Sequence, residues 1–239
     1  MLDTHAGPGL YDLESDEARR SPEWQSGIAR LWDWPDAPPA ARAYLYAVAR
    51  FNGDGALRFY PGSPALIADA LRSEDRLAAC ELHAEDAALL KARFARTANV
   101  HIHARDGWEA MNALLPFTEK RGLVLIDPPY EEPDELARAA RALAAPLKRF
   151  GHGVYLWWRP LKSESALARA DAEAAAQGAR NLLRADLWTA PPTPDAKLTG
   201  SSLHIINPPF GLEAALRETL PAIADRLAPE TGGWRVVSN

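Results

Sequence analysis

One stretch of the chain combines residue types and spacing that suit chemistry on an exocyclic amine. The apolar run 123–126 is followed at once by Asp127, Pro128, Pro129 and Tyr130. A carboxylate and a backbone carbonyl can both accept hydrogens from an amine, and proline offers its carbonyl without a competing N–H donor. An aromatic ring can hold a base that has left its own stack. We therefore predict that Asp127, Pro128 and Tyr130 are catalytic.

The element that must position these residues is a buried β-strand. The run Leu123 to Ile126 is typical of a parallel strand, and the prolines force the chain to turn at Asp127. Open α/β sheets bind their ligands at the carboxyl ends of such strands. The tetrapeptide resembles the motif of amino-group methyltransferases that use S-adenosylmethionine (SAM). Taken alone, it is also compatible with an ordinary strand that ends in a proline-rich turn.

Acidic residues follow successive predicted strands. Asp3, Glu81, Asp106 and Asp127 each stand where a strand ends, and helical segments alternate with strands from residue 77 onwards. This alternation predicts a mostly parallel sheet with helices on both faces, the Rossmann-like α/β fold of class I SAM-dependent methyltransferases. The four carboxylates should therefore lie side by side at one edge of the sheet.

The predicted cofactor contacts surround this edge. Glu81 is placed to accept hydrogen bonds from ribose hydroxyls, and Asp106 from an adenine amino group, with Gly107 leaving room for the ring. The glycines of Gly7-Pro8-Gly9 let the backbone approach a ligand closely, but their spacing does not favour NAD. Ser63 is a candidate helix N-cap that could also contact an anionic group.

The organisation predicted is one methyltransferase domain over residues 1–239 with a helical insertion at about 14–57. Ser21-Pro22-Glu23 is a helix-start signal, and Pro38 to Phe51 predicts a second helix of the insertion. Beyond it, a long helix is expected from about Pro133 to Lys148.

Composition excludes several classes of protein. Cys80 is the only cysteine, so neither an internal disulfide nor a cysteine-based metal site can form. The histidines lack the partner spacing of a metal site, and no apolar run approaches membrane-spanning length. The net charge of −5 argues mildly against a large nucleic-acid footprint. We expect a cytoplasmic protein without metal or membrane contact.

Several longer motifs resemble the RlmJ (YhiR) family of bacterial 23S ribosomal RNA adenine-N6 methyltransferases, and the resemblance runs along essentially the whole chain. They are Leu2-Asp3-Thr4-His5-Ala6-Gly7-Pro8-Gly9, Arg58-Phe59-Tyr60-Pro61-Gly62-Ser63-Pro64, Glu81-Leu82-His83, Asp106-Gly107, Leu125-Ile126-Asp127-Pro128-Pro129-Tyr130 and Ile206-Asn207-Pro208-Pro209.

This resemblance implies that His5, Ser63, Glu81, Asp106, Gly107 and Asp127 contact SAM, with Asp127 also catalytic. It implies a monomer that acts on 23S rRNA before ribosome assembly is complete. Family members carry a few dozen residues before the Asp-Thr-His segment. Because this sequence begins at Met1-Leu2, we expect it to bind SAM weakly and to be a poor enzyme as it stands.

Two further predictions concern the second Pro-Pro motif and the RNA. Asn207 arrives three strands after Asp127, so we expect it to lie far from the cofactor and not to be catalytic. Arg159, Lys162 and Lys197 are expected to contact RNA on the rim of the site. Two alternatives remain: a DNA amino-methyltransferase and a non-catalytic relative that binds nucleic acid. The family has also been linked to the use of external DNA.

Overall fold

A computed structural model describes residues 1–53, 55–131, 134–191 and 198–238. The strands in these ranges are β1 (Leu2–Asp3), β2 (Leu10–Asp12), β3 (Phe59–Pro61), β4 (Leu77–Cys80), β5 (Val100–His103), β6 (Leu123–Ile126), β7 (Val154–Pro160), β8 (Leu182–Trp188), β9 (Gly200–Ile206) and β10 (Gly233–Ser238). The helices are α1 (Asp16–Arg20), α2 (Glu23–Ser26), α3 (Ile28–Trp32), α4 (Pro39–Ala49), α5 (Ser63–Ala70), α6 (Ala84–Phe94), α7 (Gly107–Leu114), α8 (Glu135–Ala142), α9 (Ala144–Arg149), α10 (Glu164–Ala176) and α11 (Leu212–Leu227).

Most of the strands belong to one sheet with the order β10-β8-β9-β7-β6-β1-β4-β5. The pairs from β5 through β4, β1 and β6 to β7 are parallel, whereas β9 runs antiparallel to both β7 and β8. The predicted class I methyltransferase fold, an α/β fold with a mostly parallel sheet, is confirmed. β2 and β3 form a separate antiparallel pair, which the sequence did not reveal.

The short strand β1 lies in the middle of this sheet. Leu2 pairs with Ala78 of β4 on one side and with Val124 of β6 on the other. The chain order therefore reverses at β1, which makes its carboxyl end the topological switch point of the sheet. Asp3 and Asp127 end two adjacent strands, as the sequence predicted.

Helices cover both faces of the sheet. On one face, α7 to α10 pack over β1, β6 and β7 around Met111, Leu143, Phe150, Tyr155 and Trp157. On the other face, α5 and α6 cover β4 and β5, and α11 covers β8 and β9. Cys80 is fully buried in β4, which fits the small core residue expected there.

The insertion differs in detail from the prediction. Residues 14–57 form four short helices, and Ser21-Pro22 does not start a capped helix, because Ser21 ends α1 and Pro22 caps α2 without a side-chain hydrogen bond. The predicted second helix is confirmed as α4, and Leu45 and Val48 are buried in it. Ile28, Leu31 and Leu45 join Leu227 of α11 in one apolar cluster. The division into one domain with an insertion stays a prediction.

Two other elements also depart from the sequence reading. The long helix expected from Pro133 is divided at Leu143 into α8 and α9, and Pro133 itself lies outside the described residues. Strand β7 continues through Arg159 to Pro160 instead of ending at Trp158. In the part of the chain that the structure describes, no helix combines the length and apolarity needed to cross a membrane.

Candidate active site

A cleft of about 840 Å³ opens where β1, β4, β5 and β6 end. This volume is within the usual range for sites that enclose a small molecule. Its lining is strongly acidic and comes from loops that are far apart in the sequence: Thr4, His5, Gly7, Tyr11, Glu81, Leu82, His83, Ala84, Asp86, Asp106, Gly107, Trp108, Asp127, Pro128, Pro129, Glu131, Glu135, Arg138 and Trp158.

The glycine loop after β1 is tied to Glu81. Gly7 and Gly9 both adopt the left-handed backbone region, with φ of 60° and 82°. The Gly7 N–H donates to Glu81 Oε2 at 2.7 Å, and the His83 N–H donates to Oε1 at 2.7 Å. Each carboxylate oxygen keeps a second lone pair. Glu81 therefore anchors the loop and can still accept hydrogens from a ligand in the cleft.

Asp3 is a fully buried carboxylate behind the cleft. Ser63 Oγ donates to Asp3 Oδ2 at 2.7 Å, whereas Oδ1 has no hydrogen-bond partner among the described residues. Burial, with a smaller contribution from the carboxylates of Asp127 and Glu81, raises the pKa of Asp3 to about 7 against the opposing effect of hydrogen bonds from Ser63 and the His5 backbone. The structure thus gives Ser63 the role of holding Asp3. Its predicted contact with the cofactor stays a prediction, because Ser63 is not among the residues that line the cleft.

His5 is held by the hydroxyl of its neighbour. Thr4 Oγ lies 3.0 Å from the Leu125 carbonyl and 2.7 Å from His5 Nδ1. Burial lowers the pKa of His5 to about 4, so the ring is neutral at pH 7 and has one nitrogen without a proton. In the tautomer in which Nδ1 donates to Thr4 and the hydroxyl donates to Leu125, that nitrogen is Nε2, which can then accept a hydrogen bond.

The opposite wall is formed around Asp106. Its Oδ1 caps α7 by accepting from the N–H groups of Trp108 and Glu109, and its Oδ2 lies 3.8 Å from Arg138. A Cβ on Gly107 would come within 2.1 Å of the Thr4 carbonyl oxygen. The structure therefore supplies a reason for this glycine that the sequence did not: the β1 loop packs directly on its backbone.

Asp127 opens onto the cleft beside the buried Pro128. The surrounding protein removes enough water to raise the pKa of Asp127 to about 6, which leaves the carboxylate largely ionised at neutral pH. Tyr130 has a left-handed φ of 54°. Its hydroxyl accepts from Trp157 Nε1 at 2.7 Å and donates to the Trp158 carbonyl at 2.5 Å. Tyr130 is thereby held against β7, and its ring packs at 5.7 Å and 54° on the ring of Trp158.

The three residues predicted to contact RNA on the rim of the site do not share one environment. Arg159 was expected on the surface, but this prediction is wrong: the residue is fully buried in β7, where it pairs with Asp171, bonds Ser202 Oγ at 3.0 Å and stacks on Trp157. Side chains alternate between the faces of a strand, and the extra length of β7 turns Arg159 to the inner face with Trp157. Lys162 is exposed, and Lys197 lies outside the described residues.

Several cleft residues were missed by sequence reasoning. Tyr11 and Trp158 carry no motif, and Trp108 lies between the ring of His5 at 5.1 Å and the guanidinium of Arg138 at 5.9 Å. The position of Trp158, next to a residue paired with Ile126, was the one available signal. Within the described ranges, no group of three or more His, Cys, Asp or Glu side chains could hold a metal ion.

Comparisons with known proteins agree with this geometry. The family described as "Ribosomal RNA large subunit methyltransferase D, RlmJ" matches residues 1–238. Ribosomal RNA large subunit methyltransferase J of Escherichia coli K12 is 38% identical over 237 residues, which cover 99% of this chain and 85% of the relative. The protein of the same name from Haemophilus influenzae is 39% identical, with 98% and 84% covered.

A solved structure extends the match to the fold. Protein LPL1258 of Legionella pneumophila superimposes with a TM-score of 0.91 at 30% identity, over all of this chain and 87% of that one. The acidic cleft at the switch point and the match along the whole sequence lead to one conclusion. The chain belongs to the RlmJ family of SAM-dependent ribosomal RNA large subunit methyltransferases.

Proposed function

We propose that the chain transfers the methyl group of SAM to N6 of an adenine in 23S rRNA. The observation that carries this proposal is the ionisable carboxylate of Asp127, set beside two prolines at the mouth of an acidic cleft. This is an environment of hydrogen acceptors, which matches an exocyclic amine better than a hydroxyl or a ring carbon.

The cleft also fits the cofactor. SAM supplies an electrophilic methyl group on a positively charged sulfonium, and it carries an ammonium group, ribose hydroxyls and an adenine amine. The residues predicted to hold it, Glu81, Asp106 and the neutral His5, all offer acceptors to such donors. The unpartnered Oδ1 of Asp3 adds negative charge directly behind them. A bound cation would lower the raised pKa values of Asp3 and Asp127.

Asp127 and the Pro128 carbonyl then orient the target amine. Each accepts one of its hydrogens, which turns the nitrogen lone pair toward the methyl group for direct in-line displacement without a covalent enzyme intermediate. The nitrogen gains a bond to carbon and must lose one proton. The carboxylate of Asp127, whose pKa is about 6 in the free chain and lower with SAM bound, is ionised at neutral pH and can receive that proton.

We assign two aromatic rings to hold the extruded base, Trp158 from the lining of the cleft and Tyr130, which packs on it but is not among the lining residues. We assign stacking to Tyr130, whose anchored hydroxyl fixes the direction of its ring. Trp158 lines the cleft beside Asp127 and packs on Tyr130. We assign Trp158 a second surface for the base, because stacking compensates part of the cost of removing a base from its helix.

The surroundings in which the chain acts follow from the family resemblance. We propose that it works as a monomer in the cytoplasm and methylates 23S rRNA before ribosome assembly is complete. A base can be extruded only from RNA that is still accessible to the cleft.

Methyl transfer from labelled SAM to unmethylated 23S rRNA tests the proposal. The transcript should acquire label, while duplex DNA of the same sequence should acquire little. Preferential labelling of the DNA would favour the DNA amino-methyltransferase. Binding of the rRNA without binding of SAM would favour a non-catalytic nucleic-acid-binding protein.

A further inference from the structure

The proposed RNA substrate needs cations that the cleft does not provide. Contacts to phosphates supply most of the affinity of proteins for nucleic acids, and they come chiefly from Lys and Arg. Six acidic side chains line the cleft against one arginine, and three arginines in or near it are paired with carboxylates. Arg58 lies 3.0 Å from Asp12, Arg105 lies 3.8 Å from Glu109, and Arg138 lies 3.8 Å from Asp106. Phosphates should therefore be bound elsewhere on the molecule.

The second Pro-Pro motif lies at the other end of the sheet. Because β9 runs antiparallel to β7, Asn207 follows Ile206 at the point where β7 begins. Its side-chain amide donates to the Gly151 and Gly153 carbonyls at 2.9 and 2.8 Å. Its backbone N–H donates to the Asn181 carbonyl at 3.0 Å. These bonds fix residues 207–211, which we name the Phe210 loop.

This fixed loop presents one fully exposed aromatic ring. The exposure of Phe210 is 108% of the reference value, although large apolar side chains are usually at least partly covered. Two prolines precede it and a left-handed Gly211 follows it. The ring is therefore held away from the protein by a stiff backbone, which lowers the entropic cost of stacking on a ligand.

Exposed cations lie on or next to the segments that bond to the Phe210 loop at this edge of the sheet. They are Lys120, Arg121, Lys148, Arg149 and Arg180. The Lys120 carbonyl lies 2.8 Å from Nε2 of His152, which stands between the two glycines whose carbonyls bind Asn207, and Arg180 precedes Asn181. Among the described residues, no carboxylate lies within 4 Å of the charged groups of these five cations. Glu213 borders the loop, but it is bound by Arg217 at 2.8 Å.

We propose that this amino-edge surface, formed by the Phe210 loop and the five cations, binds single-stranded rRNA. The proposal rests on the proposed function. Phe210 stacks on an unpaired base and the cations bind phosphates, a combination typical of surfaces that bind single strands. Strand β7 has seven residues, so the surface lies roughly 20 Å from the cleft. It therefore contacts a segment of the rRNA other than the target nucleotide.

Substitutions of Phe210 test the stacking. Binding is measured by filter retention of unmethylated 23S rRNA without SAM, so the result does not depend on turnover. Phe210→Ala should weaken binding by roughly tenfold, since a stacked base contributes that order of affinity. Phe210→Trp should restore it, whereas Phe210→Leu, which keeps an apolar side chain, should not. Equal binding by all four proteins would overturn the proposal, as would a change of oligomeric state in light scattering caused by Phe210→Ala.

Charge substitutions test the phosphate contacts. The triple variant Lys120→Ala, Lys148→Ala, Arg180→Ala should reduce the slope of log affinity against log salt concentration by about 2, near the value for three single-strand contacts. A control with the same charge change is Lys91→Ala, Arg96→Ala, Arg169→Ala, which removes exposed cations elsewhere. Equal slopes for the two triple variants would overturn the proposal. The affinity for SAM and turnover at saturating RNA should match those of the parent in both.

Discussion

The two ends of the sheet carry the same short motif and use it in opposite ways. Asp127-Pro-Pro-Tyr130 follows β6, and Asn207-Pro-Pro-Phe210 follows β9. At the carboxyl end, the polar residue opens onto the cleft and the aromatic hydroxyl is bound within the protein. At the amino end, the polar residue ties two loops together and the aromatic ring is exposed.

Strand direction explains this difference. β6 is parallel to β7 and β9 is antiparallel to it, so motifs that follow the two strands must emerge at opposite edges. The charge around the motifs differs as well, with carboxylates lining the cleft at one edge and exposed cations near the loop at the other. A tetrapeptide therefore indicates a catalytic site only when the topology also places it at the switch point.

The largest effect should separate the two polar residues of these motifs. Asp127→Ala should lower turnover by about 10⁴-fold, because it removes both the orientation of the amine and the proton acceptor. Asn207→Ala should leave turnover within about threefold and lower stability by ~1–2 kcal/mol through loss of its hydrogen bonds. Single-turnover kinetics and urea unfolding measure the two effects. Loss of turnover in the Asn207 variant alone would reverse the comparison.

Arg159 should matter for stability and not for RNA. Replacing it with Ala leaves the partly buried Asp171 without its closest cation, and the free energy of unfolding should fall by about 3–5 kcal/mol. The exposed Lys162→Ala is the control and should change stability by less than ~0.5 kcal/mol. Urea unfolding and the salt dependence of rRNA binding check both variants. A smaller salt slope in folded Arg159→Ala would revive the RNA contact that the structure contradicts.

The buried carboxylate of Asp3 should lower the free energy of unfolding at neutral pH. Its folded pKa of about 7 lies above that of the unfolded chain, so the folded form binds more protons and stability falls as pH rises from about 4 to 7. Asp3→Asn should therefore be more stable than the parent at pH 8 by about 2–4 kcal/mol, with the difference shrinking toward pH 4. Thermal unfolding across this range measures it. A constant difference at every pH would show that folding does not shift the pKa of Asp3.

The smallest effect concerns the pH dependence of turnover. Since ionised Asp127 is the acceptor, single-turnover rates should fall about tenfold per pH unit below the pKa of Asp127 in the SAM complex, which the charge of SAM lowers from about 6 in the free chain, and level off above it. Asp3→Asn should show the same fall in rate at low pH, because the carboxylate of Asp127 is unchanged. An Asp127→Asn variant with measurable activity should no longer show the fall in rate at low pH. If its rate still falls, the ionisation belongs to another group.

Much of the fold was predictable because strand ends are marked in the sequence. Asp3, Glu81, Asp106 and Asp127 each stand at or just beyond the end of a predicted strand, and the structure brings all four to one edge. The length of β7 was not predictable. Its two additional residues are stabilised by pairing with β9 and by the contact of Arg159 with Asp171 of α10, and no local pattern encodes such contacts.

The carboxylates of the candidate site were predictable, whereas the residues that hold the site side chains in place were less so. The sequence indicated acceptors but not that Thr4 bonds to His5 or that Ser63 holds Asp3. Both contacts depend on where loops from distant parts of the chain meet. Trp158 was missed for a related reason, since its place beside Asp127 depends on the register between β6 and β7.

The central claim is that Asp127 and Pro128 hold an exocyclic amine, and the identity of the methylated nucleoside tests it most directly. Unmethylated 23S rRNA should be treated with the protein and SAM, digested to nucleosides and analysed by mass spectrometry. The account predicts N6-methyladenosine in the parent reaction and its absence with Asp127→Ala. A methyl group on a ribose hydroxyl or a ring carbon would contradict it.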